Sequence, residues 1–104
     1  MAQYTINISK DAQCDIIDIV YYIAVELGAP ETAERFSDDI NQSIKSLEHM
    51  PHRYPVIDGE RKVSPGFRKL HIKNYIAFYT INEDTRTVNI ERILYVRRNW
   101  QHIL

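Results

Sequence analysis

The chain opens on strict alternation. In Tyr4-Thr5-Ile6-Asn7-Ile8-Ser9 every second side chain is apolar, the mark of a half-buried strand. The period then lengthens: Ala12, Ile16, Val20, Ile23 and Leu27 recur at helical spacing, and Ile17 and Ala24 widen the stripe. Ser9 stands where an N-cap belongs, Asp11 favours the first turn, and Gly28 is the expected left-handed stop. Pro30 then suits the first turn of a second helix, with Glu31 and Glu34 at its positive end. Ala33, Phe36, Ile40, Ile44 and Leu47 form its stripe, which runs out near Met50-Pro51. So short a break between two amphipathic helices predicts an antiparallel helical hairpin.

From Pro51 to Pro65 no period is visible. Pro51, Pro55, Asp58-Gly59 and Ser64-Pro65-Gly66 are turn signals, and Tyr54 and Val56 are the side chains expected to pin this connection to the body. Alternation returns from Val63 to Trp100 as three strands of an antiparallel meander. Phe67–Ile72 turns Leu70 and Ile72 inward and Lys69 and His71 outward. Lys73-Asn74 makes a tight reversal, with Asn the residue that tolerates positive φ. Tyr75–Ile81 is apolar on both parities, as a central strand is. In the last strand Val88, Ile90, Leu94 and Val96 share a parity with Arg92, which implies either a bulge or a paired Arg92 on the packed face. Asn99–Leu104 reads as a terminal helical turn that sets Trp100 and Leu104 against the sheet.

The order β-α-α-β-β-β describes an α+β fold, a helical hairpin packed on one face of a small, mainly antiparallel sheet. At 104 residues, with neither linker nor repeat, it reads as one domain spanning 1–104. No stretch approaches the roughly 20 apolar residues of a membrane span. The opening residues lack the pattern of a secretory signal, and a single cysteine, Cys14, suits a reducing cytoplasm. No Cys/His cluster suggests a metal, and no motif suggests a cofactor.

Charge adds what periodicity does not. The net charge of −1 conceals four Lys/Arg against eleven acids in residues 1–60, a net −7, and nine against three in residues 61–104, a net +6. Such segregation points to an acidic or polyanionic partner for the second half, the alternative being mutual neutralisation within the fold.

The sequences G-F-R-K-L-H-I, Y-I-A-F-Y and V-N-I-E-R-I-L-Y-V-R-R-N-W, in this order and spacing after the two helices, resemble the RelE/ParE family of toxins from bacterial type II toxin–antitoxin modules. The resemblance implies a growth-inhibiting toxin, neutralised by a cognate antitoxin within a toxin–antitoxin complex. It implies one of two actions: metal-free cleavage of messenger RNA on the ribosome, or inhibition of DNA gyrase without chemistry of its own. Cleavage through a 2′-OH needs a base, an acid and cations around the phosphorane. Lys69 and His71, two apart on one strand, with Arg97 and Tyr95 are the candidate catalytic residues. Arg68, Lys73, Arg98 and Trp100 are candidates for contact with nucleic acid or target protein. Against cleavage, Ile76 stands where the nuclease branch commonly carries an arginine, and the Arg97-Arg98-Asn99 tail is more like the gyrase-directed branch. The reading leans to ribosome-dependent cleavage, with gyrase inhibition, or an inactive relative that only binds its antitoxin, as the alternatives.

Overall fold

Ser9 decides where the first strand stops and the first helix begins. Its backbone is extended, and its Oγ accepts the Ala12 N–H at 3.0 Å. The same hydroxyl donates to the Glu91 carbonyl at 2.8 Å, while the Ser9 N–H donates to Ile90 O at 2.9 Å. One residue thus caps the helix and ties it to the far end of the chain. The computed structural model describes residues 3–57 and 66–98. The expected turns at Asp58-Gly59 and Ser64-Pro65, and the expected terminal helical turn with Trp100, lie outside them.

The strands are β1 (Thr5–Ile8), β2 (Arg68–Ile72), β3 (Tyr75–Asn82) and β4 (Thr87–Tyr95). They form one sheet in the order β1-β4-β3-β2, with β1 parallel to β4 and the other two pairings antiparallel. Helices α1 (Lys10–Tyr21) and α2 (Pro30–Lys45) cover one face. Phe36, Ile40 and Ile44 of α2 and Leu47 beyond it meet Leu70, Ile72, Ala77, Tyr79, Val88, Ile90 and Ile93 of the sheet. The α+β architecture read from the periodicity is therefore present.

Helix α1 departs from its predicted stripe. Ala12, Ile16, Ile19 and Ile23 pack inward, but Ile17 is 66% and Leu27 58% exposed. Ile17 lies about 100° around the helix from Ile16, beyond the reach of the sheet. Leu27 is lost to a change of winding. The helix loosens into a π turn over Tyr22–Glu26, in which the Leu27 N–H reaches Tyr22 O at 3.0 Å. With i→i+5 winding, four residues past Ile23 no longer complete a turn. Gly28 at φ 62° then supplies the left-handed stop.

After α2 the chain passes through a 3-10 turn at Ser46–Glu48, a left-handed Met50 and a second 3-10 turn at Pro51–Arg53. Buried Tyr79 holds this connection by donating its hydroxyl to Pro51 O at 2.7 Å. Arg53 donates to His49 O at 2.8 Å, and Arg68 donates to the carbonyls of His52 and Tyr54. Tyr54 does pack on the core, whereas Val56 is held by its backbone bridge to Arg68 and keeps its side chain exposed. In the β2–β3 turn the left-handed residue is Lys73 (φ 56°), not Asn74.

The bulge expected near Arg92 is present and its guanidinium is paired, although its place in the strand is opposite Phe78, in the row of the face away from the helices. Phe78 pairs with Arg92 and Tyr79 with Ile90, so Glu91 is the extra residue of a bulge. The shift returns Ile93, rather than Leu94, to the helix-covered core; Leu94 joins the opposite face and Val96 ends exposed. Arg92 meanwhile donates from Nε and Nη2 to the two oxygens of Asp15 in α1, at 2.8 and 2.9 Å. Asp15 Oδ2 also accepts the Ile93 N–H at 2.9 Å. Strand β1 ends at Ile8, opposite Ile90, so this carboxylate takes over the β4 edge where β1 stops.

Candidate functional site

The face of the sheet away from the helices carries Lys69 and His71, as their alternation with Leu70 and Ile72 requires. Their cross-strand neighbours define the site. His71 pairs with Ile76, which pairs with Leu94; Lys69 pairs with Phe78, which pairs with Arg92. Phe67, Ile76, Phe78 and Leu94 form a second apolar cluster on this face, with Ile57 against it. Ile76 is 2% exposed and Phe78 is fully buried. The polar candidates therefore flank an apolar centre. At the other side of this face Thr80 Oγ1 donates to Glu91 Oε2 at 3.1 Å, and Asn7 Nδ2 donates to Asn89 Oδ1 at 3.0 Å.

The remaining candidates sit elsewhere. The bulge turns Tyr95 toward the helix side, where its ring meets Tyr75 edge-on at 5.6 Å and Tyr75 in turn meets Phe36 at 5.0 Å. Burial, then the neighbouring Tyr22 and Tyr95, raises the Tyr75 hydroxyl above its ordinary pKa of 10.0. Arg97 and Arg98 are exposed in the turn after β4, beside the β2–β3 turn, because the Val96 N–H reaches Asn74 O at 2.8 Å. Exposed Lys73 shares that end of the sheet, 3.8 Å from Asp39. Lys73, Arg97 and Arg98 thus make a cationic end, while the Arg68 guanidinium is engaged by two backbone carbonyls in holding the connection. Trp100 lies outside the described residues. Lys69 and His71 share a face, then, but Tyr95 does not join them and Arg97 stands at the rim.

Sequence reading missed a cleft of about 460 Å³ between α2 and the β2–β3 turn, floored by Ile23, Phe36 and Tyr75 and edged by Arg35, Asp39 and Lys73. Its residues come from the π turn, α2, the β2–β3 turn and β3, and no single stretch of sequence announces them. Among the described residues no group of His, Cys, Asp and Glu is placed to hold a metal ion. Nor is any of their helices long and apolar enough to cross a membrane.

Chemically, an apolar centre is a poor host for a phosphorane. Charge developing beside Ile76 and Phe78 would meet carbon where hydrogen-bond donors are needed. The same face, with cations along one end, suits contact with another macromolecule.

Comparison with known proteins agrees with the architecture. The family model described as "ParE toxin of type II toxin-antitoxin system, parDE" matches residues 6–100. Among solved structures, the chain is similar to a protein of the chromosomal ParDE toxin–antitoxin system from P. aeruginosa, with a TM-score of 0.75 and 22% identity over 93% of this chain and 100% of that one. It also resembles a chain of the RelBE2 toxin–antitoxin complex from Mycobacterium tuberculosis, at TM-score 0.62 and 18% identity over 89% of this chain and 98% of that one. A third neighbour, from the archaeal RelE–RelB complex of Pyrococcus horikoshii OT3, gives TM-score 0.56 and 16% identity over 94% and 99% of the two chains. Curated protein sequences contain no match to the chain. A helical hairpin on a β1-β4-β3-β2 sheet and a family match over nearly the whole length lead to one conclusion: this chain belongs to the ParE toxin family of type II toxin–antitoxin systems.

Proposed function

We propose that this toxin arrests growth in the cytoplasm by binding DNA gyrase, without cutting RNA, and that a cognate antitoxin neutralises it by forming a complex. One observation carries the choice of mechanism. Ile76, beside His71 on the helix-free face, is 2% exposed within an apolar cluster, at the position where a nuclease of this fold would hold a phosphate-binding arginine. The match to a ParE model and the likeness to a ParDE protein favour the same reading. The gyrase contact is formed by the cationic end, Lys73, Arg97 and Arg98, which stays accessible after folding. The antitoxin is expected from the complexes in which the similar chains were solved.

Induction of this chain in a bacterium without its antitoxin tests the mechanism. Gyrase poisoning predicts DNA breaks and an SOS response with intact messages, and loss of supercoiling by purified gyrase when the toxin is added. His71→Ala and Lys69→Ala should leave toxicity in place, whereas Arg97→Glu with Arg98→Glu should reduce it. Prompt arrest of translation with cut messages, relieved by His71→Ala, would establish the ribosome-dependent nuclease instead.

A further inference from the structure

The cleft between α2 and the β2–β3 turn sets opposite charges side by side above an apolar floor. Phe36 and Tyr75, their ring centroids 5.0 Å apart, form that floor with Ile23 of the π turn. A volume of about 460 Å³ is in the range of small-molecule sites, and an apolar base with a few polar groups at the edge is their usual make-up. Arg35 and Asp39 are four residues apart on α2, so they project from one side of the helix with Cβ atoms about 5–6 Å apart. Thr32 on the same helix, with Lys73 and Asn74 of the β2–β3 turn, completes the edge.

Neither charge is well matched within the chain. Arg35 donates from Nη2 to Thr32 Oγ1 at 3.4 Å and has no ion-pair partner among the described residues, although Glu31 is one turn away on the same helix. Most of its N–H donors are left to meet a carboxylate in the forked geometry that suits a guanidinium. Asp39 Oδ2 is 3.8 Å from Lys73 Nζ, beyond hydrogen-bonding distance, and the two side chains are 40% and 68% exposed. A plain anion drawn to Arg35 would meet Asp39 as well, and a plain cation drawn to Asp39 would meet Arg35 and Lys73. A molecule that carries both charges close together satisfies both residues.

We infer that this cleft binds a free α-amino acid with a large apolar side chain. The carboxylate takes the Arg35 guanidinium, the ammonium takes the Asp39 carboxylate, and the side chain lies on Phe36, Tyr75 and Ile23. The ligand's ammonium gives Asp39 the close partner that Lys73 is too distant to be, and Lys73 is free to turn toward the ligand's carboxylate beside Arg35. The inference is independent of the choice between gyrase and the ribosome as target.

The test titrates the isotope-labelled full chain with L-phenylalanine and follows its amide resonances. Saturable shifts at Ile23, residues 32–39 and residues 73–75 are expected. L-leucine should bind in the same place, and glycine, which has no apolar body, should not. Phenylalanine amide lacks the carboxylate and N-acetylphenylalanine lacks the ammonium. Each should bind at least tenfold more weakly, the loss that one charged, hydrogen-bonded contact represents. Arg35→Gln and Asp39→Asn should reproduce the two losses with wild-type circular dichroism, and Arg35→Gln should no longer distinguish phenylalanine from its amide. The analogue series is read on the wild-type chain, so it stands even if a variant fails to fold. No saturable shift with L-phenylalanine, or shifts centred away from the cleft, overturns the site. N-acetylphenylalanine binding as tightly as the free amino acid overturns the zwitterion and assigns the cleft to the C-terminus of another chain; the amide binding as tightly overturns it in favour of an N-terminus.

Discussion

Replacing Asp15 with Ala should be among the most costly single changes outside the apolar core. The carboxylate accepts three hydrogen bonds, two from the Arg92 guanidinium and one from the Ile93 N–H. The two side chains keep only 11% and 24% of their surfaces accessible, and hydrogen bonding to Asp15 holds the Arg92 guanidinium above its ordinary pKa. Removing the acid leaves a largely desolvated cation and an unpaired strand-edge N–H. Breaking a fully buried pair costs about 3–5 kcal/mol. Residual access of water to Arg92 brings the expectation down to ~2–3 kcal/mol, which for a chain of about 100 residues lowers the melting temperature by roughly 10 °C. Urea unfolding followed by circular dichroism measures this directly, with exposed Asp18→Asn as the control near zero. A cycle with Arg92→Met isolates the pair, since the double variant should regain at least ~1 kcal/mol relative to the sum of the single changes. Asp15→Ala unfolding within about 0.5 kcal/mol of wild type, the usual range for an unremarkable surface change, would refute the argument that this pair closes the β4 edge.

Three further outcomes follow from the packing. Tyr79→Phe should cost ~1–2 kcal/mol at neutral pH, because the Pro51 carbonyl loses its donor. It should also flatten the alkaline limb: burial raises the Tyr79 hydroxyl from 10.0 to about 12, so its contribution is intact below pH 10 and declines as pH rises through 12, which parallel alkaline unfolding curves for the two proteins would contradict. Arg68→Met should cost ~1–2 kcal/mol and speed proteolysis around Arg53, since the guanidinium holds the carbonyls of His52 and Tyr54; unaltered cleavage kinetics would sink this role. Ile76→Arg, which restores the nuclease-like cation, should destabilise the fold by at least ~3 kcal/mol and confer no RNA cleavage, and a stable variant that cuts messages on the ribosome would show the face to be catalytically competent.

Much of this architecture could be read from periodicity because each element has one dominant face. The α2 stripe Ala33, Phe36, Ile40 and Ile44 is buried as its spacing requires, and the alternation in β1 and β2 gives the correct faces. Errors arose where winding or register changes inside an element. Nothing local in Tyr22–Glu26 announces a π turn, so Leu27 reads as core although it is exposed. The bulge at Glu91 was one of two alternatives, and only pairing with β3 shows that Ile93 replaces Leu94 and that Tyr95 leaves the face of His71. The Asp15–Arg92 contact joins residues 77 apart in the chain, a distance over which side-chain chemistry offers no pattern. For the same reason Lys69 and His71 were legible as a pair on one strand, whereas the apolar centre beside them depends on three strands at once.

The first strand's neighbour in the sheet is the last strand to be made. Thr5 pairs with Thr87, 82 residues later, and synthesis of that interval at about 5–20 residues per second takes roughly 4–16 s. Until it closes, the helical hairpin lacks the strand that joins β1 to β3, and Ser9 has yet to meet Ile90. The cationic end, which needs β4 beside the β2–β3 turn, is assembled only after that. Helix α1 is thus complete about 65 residues before the strand that its Ser9 cap must meet begins.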